Sequence, residues 1–99
     1  MNFRLKITPT AKKALKELNS NPGNNKNYKA VKKAISFLGT NPTRHPGLQT
    51  HIIHSFCGPS GEKVFEAYAQ QNTASAYRIF FYYGPNKNEI TIFAIIPHP

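Results

Sequence analysis

Between Asn2 and Thr8 apolar and polar residues alternate, with Phe3, Leu5 and Ile7 on one side and Arg4 and Lys6 on the other. Period two is the signature of a strand with one buried face, so a first strand is predicted over residues 2–8. Thr8 then offers a side-chain oxygen as a helix N-cap, and Pro9 follows at the first helical position, where its missing N–H costs nothing. Ala11, Ala14, Leu15 and Leu18 fall at i, i+3, i+4 and i+7, a narrow apolar stripe with lysines opposite it.

Residues 19–25 (Asn-Ser-Asn-Pro-Gly-Asn-Asn) are turn formers and predict a loop. Beyond it Tyr28, Val31, Ala34, Ile35 and Leu38 repeat the helical spacing. Gly39 is placed to end this second helix in the left-handed conformation, and Pro42 prevents its resumption. From Leu48 the pattern changes to strands, predicted at Leu48–Ser55, Lys63–Gln70, Ala76–Tyr83 and Glu89–Ile96. Compact turns at residues 58–61 and 84–88 favour antiparallel neighbours and hence a meander. The last two strands are apolar on both parities, which makes them central in the sheet and covered at least partly on both faces. The expected architecture is α+β: an N-terminal strand, an antiparallel helix hairpin, then a mostly antiparallel sheet of three to four strands packed on the helices.

Ninety-nine residues predict one domain, 1–99, with a thin core resting on large side chains; five Tyr and seven Phe supply them. A hydrophobic fraction of 39% against 17% charged does not fit a disordered chain. One cysteine, Cys57, and an opening without an apolar stretch predict a cytoplasmic protein, and the longest apolar run is far short of a membrane span. The charge is uneven. Residues 1–44 carry ten basic side chains against Glu17 alone, while residues 45–99 carry three of each sign. The net +9 therefore lies in the first half, and such a field attracts polyanions through counterion release, or serves only to keep helix faces solvated.

Three residues stand out as candidate chemistry. Arg78 is the one arginine of the strand half and sits among aromatics in a predicted central strand. An unpaired buried guanidinium is costly, so Arg78 meets a carboxylate, for which Glu66 is the candidate, or awaits an anion such as phosphate; the two are compatible. An even-sum register between their strands would put Glu66, Tyr68, Gln70, Arg78 and Tyr82 on one face. His98, held between Pro97 and Pro99, is either an idle tail residue or a proton donor for a leaving oxygen. Tyr68, Tyr82 and Tyr83 need hydrogen-bond partners if buried and could stack on bases if exposed, with Lys63 beside them as a further candidate for binding substrate. His51 and His54 would point to opposite faces of a strand, so no metal site is expected, and no cofactor motif is present.

Strand, helix hairpin and antiparallel sheet, with residues 3–18 (FRLKITPTAKKALKEL), a second helix closing into GTNP, the arginine of AYRIFFYY and a last strand ending in His98, resemble the RelE/ParE superfamily of type II toxins. What the RelE-like branch implies is a metal-independent, ribosome-dependent endoribonuclease in which the ribose 2′-OH attacks the adjacent phosphate. By that resemblance Arg78 would neutralise the phosphate, His98 would protonate the leaving 5′-oxygen, and Glu66 would act as base. The sheet offers only Lys63 and Lys87, so a lysine-rich site is not reproduced. The implied partners are an acidic antitoxin, mRNA and the ribosome, with Lys12, Lys13, Lys16, Lys29, Lys32 and Lys33 facing ribosomal RNA. The ParE-like branch implies a gyrase poison without nuclease chemistry, and a degenerate member would bind only RNA or antitoxin.

Overall fold

The computed structural model describes residues 2–43, 46–70 and 76–97. The chain runs β1 (Arg4–Ile7), α1 (Pro9–Ser20), α2 (Asn25–Thr40), β2 (His51–Cys57), β3 (Lys63–Tyr68), β4 (Tyr77–Tyr83) and β5 (Glu89–Pro97). The first helix starts where its cap and proline predict. Thr8 accepts from the Ala11 amide at 3.3 Å, and Pro9 opens the helix. Asn21 and a 3-10 turn over Pro22–Asn24 connect the helices, so the predicted loop is shorter than 19–25 and partly helical.

The second helix ends differently from the expectation. Gly39 lies inside α2, which runs on to Thr40, and its φ is not positive. Thr40 donates its hydroxyl to the Phe37 carbonyl and Asn41 donates its amide to the same oxygen, which closes the last turn without a left-handed residue. The Gly39 carbonyl instead accepts from the Phe3 amide at 2.7 Å and ties the helix end to the start of β1.

The sheet order is β1-β5-β4-β3-β2. Its last four strands form the predicted antiparallel meander, and β4 and β5 lie inside the sheet. β1 adds a fifth strand and pairs parallel with β5, so the sheet is mixed rather than wholly antiparallel. The reason is topological: the helix pair carries the chain across one face between β1 and the meander, the long connection that parallel neighbours require. Gly84, at φ +107, makes the β4–β5 turn, and its carbonyl accepts from the Thr91 hydroxyl at 2.7 Å.

Both helices lie on one face of the sheet, α1 against β5 and α2 against β4. Between the layers Leu18, Val31, Leu38, Ile79, Phe81, Ile90 and Ile92 are buried. Each contributes about 1.5–3 kcal/mol from the apolar surface it removes from water. β2 begins at His51, three residues later than predicted, because Leu48 turns into this core from a 3-10 turn at Pro46–Leu48. Among the described residues no helix is long and apolar enough to cross a membrane. The described helices leave the other face of the sheet uncovered, and the unusual side chains are there.

Candidate functional site

Strand register decides which side chains share the open face. Glu66 pairs with Phe80 and Tyr68 with Arg78, the even-sum register, so Glu66, Tyr68, Arg78 and Tyr82 lie together. Gln70 does not join them. β3 ends at Tyr68, and the Gln70 side chain turns to the helix layer, donating to the Asn27 side chain at 2.9 Å and accepting from the Tyr77 amide.

Glu66 is the centre of the group. It is only 3% exposed and, with Thr91, is one of two buried polar residues among those described. Arg78 Nη1 donates to Glu66 Oε2 at 2.6 Å, and His51 Nε2 stands 2.9 Å from Oε1. Both carboxylate oxygens are therefore held, each by a different partner, which fixes the plane of the group and offsets the cost of burying it. His51 stands directly across from Glu66 on β2, and its other ring nitrogen lies 3.1 Å from the Gln49 carbonyl. Its two ring nitrogens thus both face oxygen acceptors, so a neutral ring satisfies one of them and an imidazolium satisfies both. The His51 side chain remains 46% exposed, the solvent-facing member of the group.

Tyr68 completes it. Its ring lies 5.7 Å from that of His51. Burial pushes its phenol above the ordinary tyrosine value, the Glu66 charge and the hydrogen bond to Glu66 push the same way, and the Arg78 charge opposes them. The phenol therefore stays a proton donor at neutral pH. Arg78 lies over the Phe80 ring at 5.4 Å, and its Nε is buried without a hydrogen-bond partner among the described residues. A buried bare donor beside an open surface calls for an acceptor, and an anion's oxygen is one that a guanidinium fork fits.

The remaining predicted residues separate. Tyr83 falls on the opposite parity and packs at the rim of the helix-side aromatic cluster, 5.5 Å from Phe65 and 5.6 Å from Phe3. Lys63 shares that parity and lies exposed at the far end of β3, opposite Cys57. Neither joins the Glu66 group. His98 lies outside the described residues; Pro97, which precedes it, pairs with Tyr77 next to Arg78. Lys12, Lys13, Lys16, Lys29, Lys32 and Lys33 are all exposed on the helices, the layer across the sheet from Glu66.

Local pattern does not reveal two further residues of this face. The spacing of His51 and His54 raises only the question of a metal, whereas the partner of His51 is a carboxylate across the sheet. Lys6, exposed on β1, pairs with Thr91, which pairs with Tyr82, so one row across three strands brings Lys6 to the open face. Alternation in β1 puts Lys6 on a polar side, but only the parallel pairing with β5 shows which side that is. Among the described residues no group of three His, Cys, Asp or Glu is placed to hold a metal ion.

A sheet ordered β1-β5-β4-β3-β2, with the helix pair between its first two strands in sequence and laid on one face, is the RelE/ParE-like fold. Among solved structures the chain is similar to a chain of the archaeal RelE–RelB complex from Pyrococcus horikoshii OT3, with a TM-score of 0.67 and 20% identity over 98% of this chain and 96% of that one. No family model and no curated protein matches the sequence. At that identity the likeness establishes a shared fold over nearly the whole chain, and chemistry has to be argued from the residues themselves.

Proposed function

We propose that this chain is the toxin of a type II toxin–antitoxin pair and that it cuts mRNA on the ribosome without a metal ion. One observation carries the reading: a buried glutamate gripped by an arginine and a histidine on the open, aromatic face of the sheet. A group of this kind suits phosphodiester cleavage by the neighbouring 2′-hydroxyl. Arg78 holds the scissile phosphate and offsets the charge that builds on its oxygens. Glu66 takes the proton of the 2′-OH, the 2′-oxygen bonds to phosphorus, and the bond from phosphorus to the 5′-oxygen breaks. His98 gives a proton to that leaving oxygen. The products are a 2′,3′-cyclic phosphate and a 5′-hydroxyl.

Glu66 can reach substrate only if one of its partners yields. His51 is that partner, because its side chain is exposed whereas that of Arg78 is mostly covered. In this scheme His51 aims the carboxylate in the free protein and gives way to the ribose. The similar archaeal toxin was solved in complex with RelB, and a RelB-like antitoxin is the natural neutraliser here, acidic to match a chain of net +9. Induced expression in bacteria tests the reading: growth should arrest and translated messages should carry breaks at defined positions. Arrest with intact messages and damaged DNA would point to gyrase instead.

A further inference from the structure

Beyond Arg78 the open face continues as a line of rings. The guanidinium lies over Phe80, Phe80 is 6.3 Å from Phe93, and Phe93 is 5.8 Å from Tyr82. Alternation from Thr91 and Ile92 puts Phe93 on this face, and the bulge in β5, between Ile92, paired with Phe81, and Ala94, paired with Phe80, leaves Ala94 on it as well. The line ends in a cleft of about 240 Å³, lined by Tyr82, Phe93 and the Cys57-Gly58-Pro59 segment. That is smaller than the ~300–1,000 Å³ of pockets that enclose drug-sized ligands, and suits a single flat ring system.

The cleft wall is built before any ligand arrives. Gly58 donates to the Glu62 carbonyl at 2.8 Å, Gly61 donates back to the Gly58 carbonyl at 3.0 Å, and the Ser60 amide donates to the Glu62 carboxylate at 2.8 Å. A Cβ at Gly58 would overlap that carboxylate, so a side chain there would make the Glu62 side chain move. Cations stand at both ends: Arg78 begins the line of rings, and Lys6 shares the row of Tyr82 at its end. Among the described residues no carboxylate lines the cleft. Flat apolar faces between two cations fit a polyanion carrying rings, which is single-stranded RNA, better than an apolar peptide.

We propose that the cleft between Tyr82, Phe93 and Pro59 is a nucleobase subsite of the cutting face. Tyr82 lies four steps along the strand from Arg78, about 13 Å at ~3.3 Å per strand residue. The base it stacks therefore belongs to a neighbour of the nucleotide whose phosphate Arg78 holds, and Lys6 meets a phosphate on that neighbour's side. The subsite rests on the RNA-cutting reading and gives the strand a place where it is gripped but not cut.

The test uses short RNAs with deoxyribose at the cleavage position, which bind without being cut, and with 2-aminopurine at each position in turn. They are presented free and in programmed ribosomes. Stacking should quench the fluorophore at one position near the blocked site, and Phe93→Ala should abolish the quench and weaken binding about tenfold or more. Tyr82→Phe, which keeps the ring, should leave both intact. Removing the base at that one position should weaken binding of the parent protein to the same degree, an arm that needs no variant to fold, and should weaken Phe93→Ala no further. No quench at any position in either setting, or a base removal without effect on the parent, overturns the subsite. Cleavage of all-ribose RNA is measured separately: stacking without cleavage sinks the RNA-cutting reading and leaves the subsite standing, and cleavage without stacking does the reverse.

Discussion

The two faces of this sheet are built from the same strands and have opposite characters. Facing the helices, Ala67, Ile79, Phe81, Ile90 and Ile92 are wholly buried and apolar. On the open face the alternate residues are Glu66, Tyr68, Arg78 and Tyr82, joined by His51 and Lys6 from the flanking strands. Period-two geometry thus puts the apolar core and the polar group on neighbouring residues of one strand, as with Ile79 and Arg78. The division is not complete, because Glu66, Val64 and Phe80 are also buried on the open side. There the polar group depends on its partners in a way that the helix face does not.

Substitutions on each face should therefore fail in different ways. The largest effect belongs to the helix side: Phe81→Ala should cost about 3–5 kcal/mol in folding stability, read from urea unfolding, since it empties a fully buried position. A cost no greater than that of an ordinary surface change would mean the core is not where the packing puts it. On the open face, Arg78→Ala should remove about 2–4 kcal/mol of transition-state stabilisation, roughly 30- to 1,000-fold in rate. It should also destabilise the fold, because Glu66 is left buried without its arginine and with only His51 and the Tyr68 hydroxyl for partners. Adding Glu66→Gln should restore much of that stability and none of the cleavage. A double variant that stays as unstable as the single one would show that Arg78 acts through packing rather than through its charge.

Smaller effects separate the two layers further. The exposed helix lysines lie across the sheet from Glu66, so replacing Lys12, Lys13 and Lys16 by Gln should weaken ribosome binding and flatten its salt dependence, by about 0.7–0.9 in the log–log slope for each phosphate no longer neutralised. Cleavage of an already bound message should change little. A loss confined to the chemical step would place those lysines at the site instead. The smallest effect concerns pH. The Tyr68 phenol is raised in the folded state, so its contribution to stability is complete below the ordinary tyrosine value of about 10 and is lost as pH rises through the folded value. Tyr68→Phe should make stability fall less steeply above about pH 10, read by urea unfolding across the alkaline range.

Much of this is visible in the order of residues. Thr8 and Pro9 mark the start of α1 because a cap and a proline act locally, and alternation in β3 and β4 places Glu66 and Arg78 on one face once the strands pair. What depends on distant partners is not visible. β1 and β5 are joined through most of the chain, so neither their parallel pairing nor the position of Lys6 follows from local pattern. His51 is hidden because β2 is irregular between Ile53 and Cys57, and counting from its far end gives the wrong register. Gly39 misleads for a related reason: glycine ends helices in the left-handed conformation only where the chain must turn there, and Thr40 supplies another way to finish.

Whether the Glu66–Arg78–His51 group cuts RNA can be read from single-turnover cleavage of one message on programmed ribosomes, comparing the parent with Arg78→Lys. Lysine keeps a positive charge near Glu66 but cannot present the guanidinium fork to phosphate. The variant should fold, bind ribosomes as the parent does, and cleave at least about 30-fold more slowly, leaving a 5′-hydroxyl at the same positions when it does cut. Equal rates for the two proteins, or no cleavage by the parent under conditions where it arrests growth, would remove Arg78 and its partners from the chemistry.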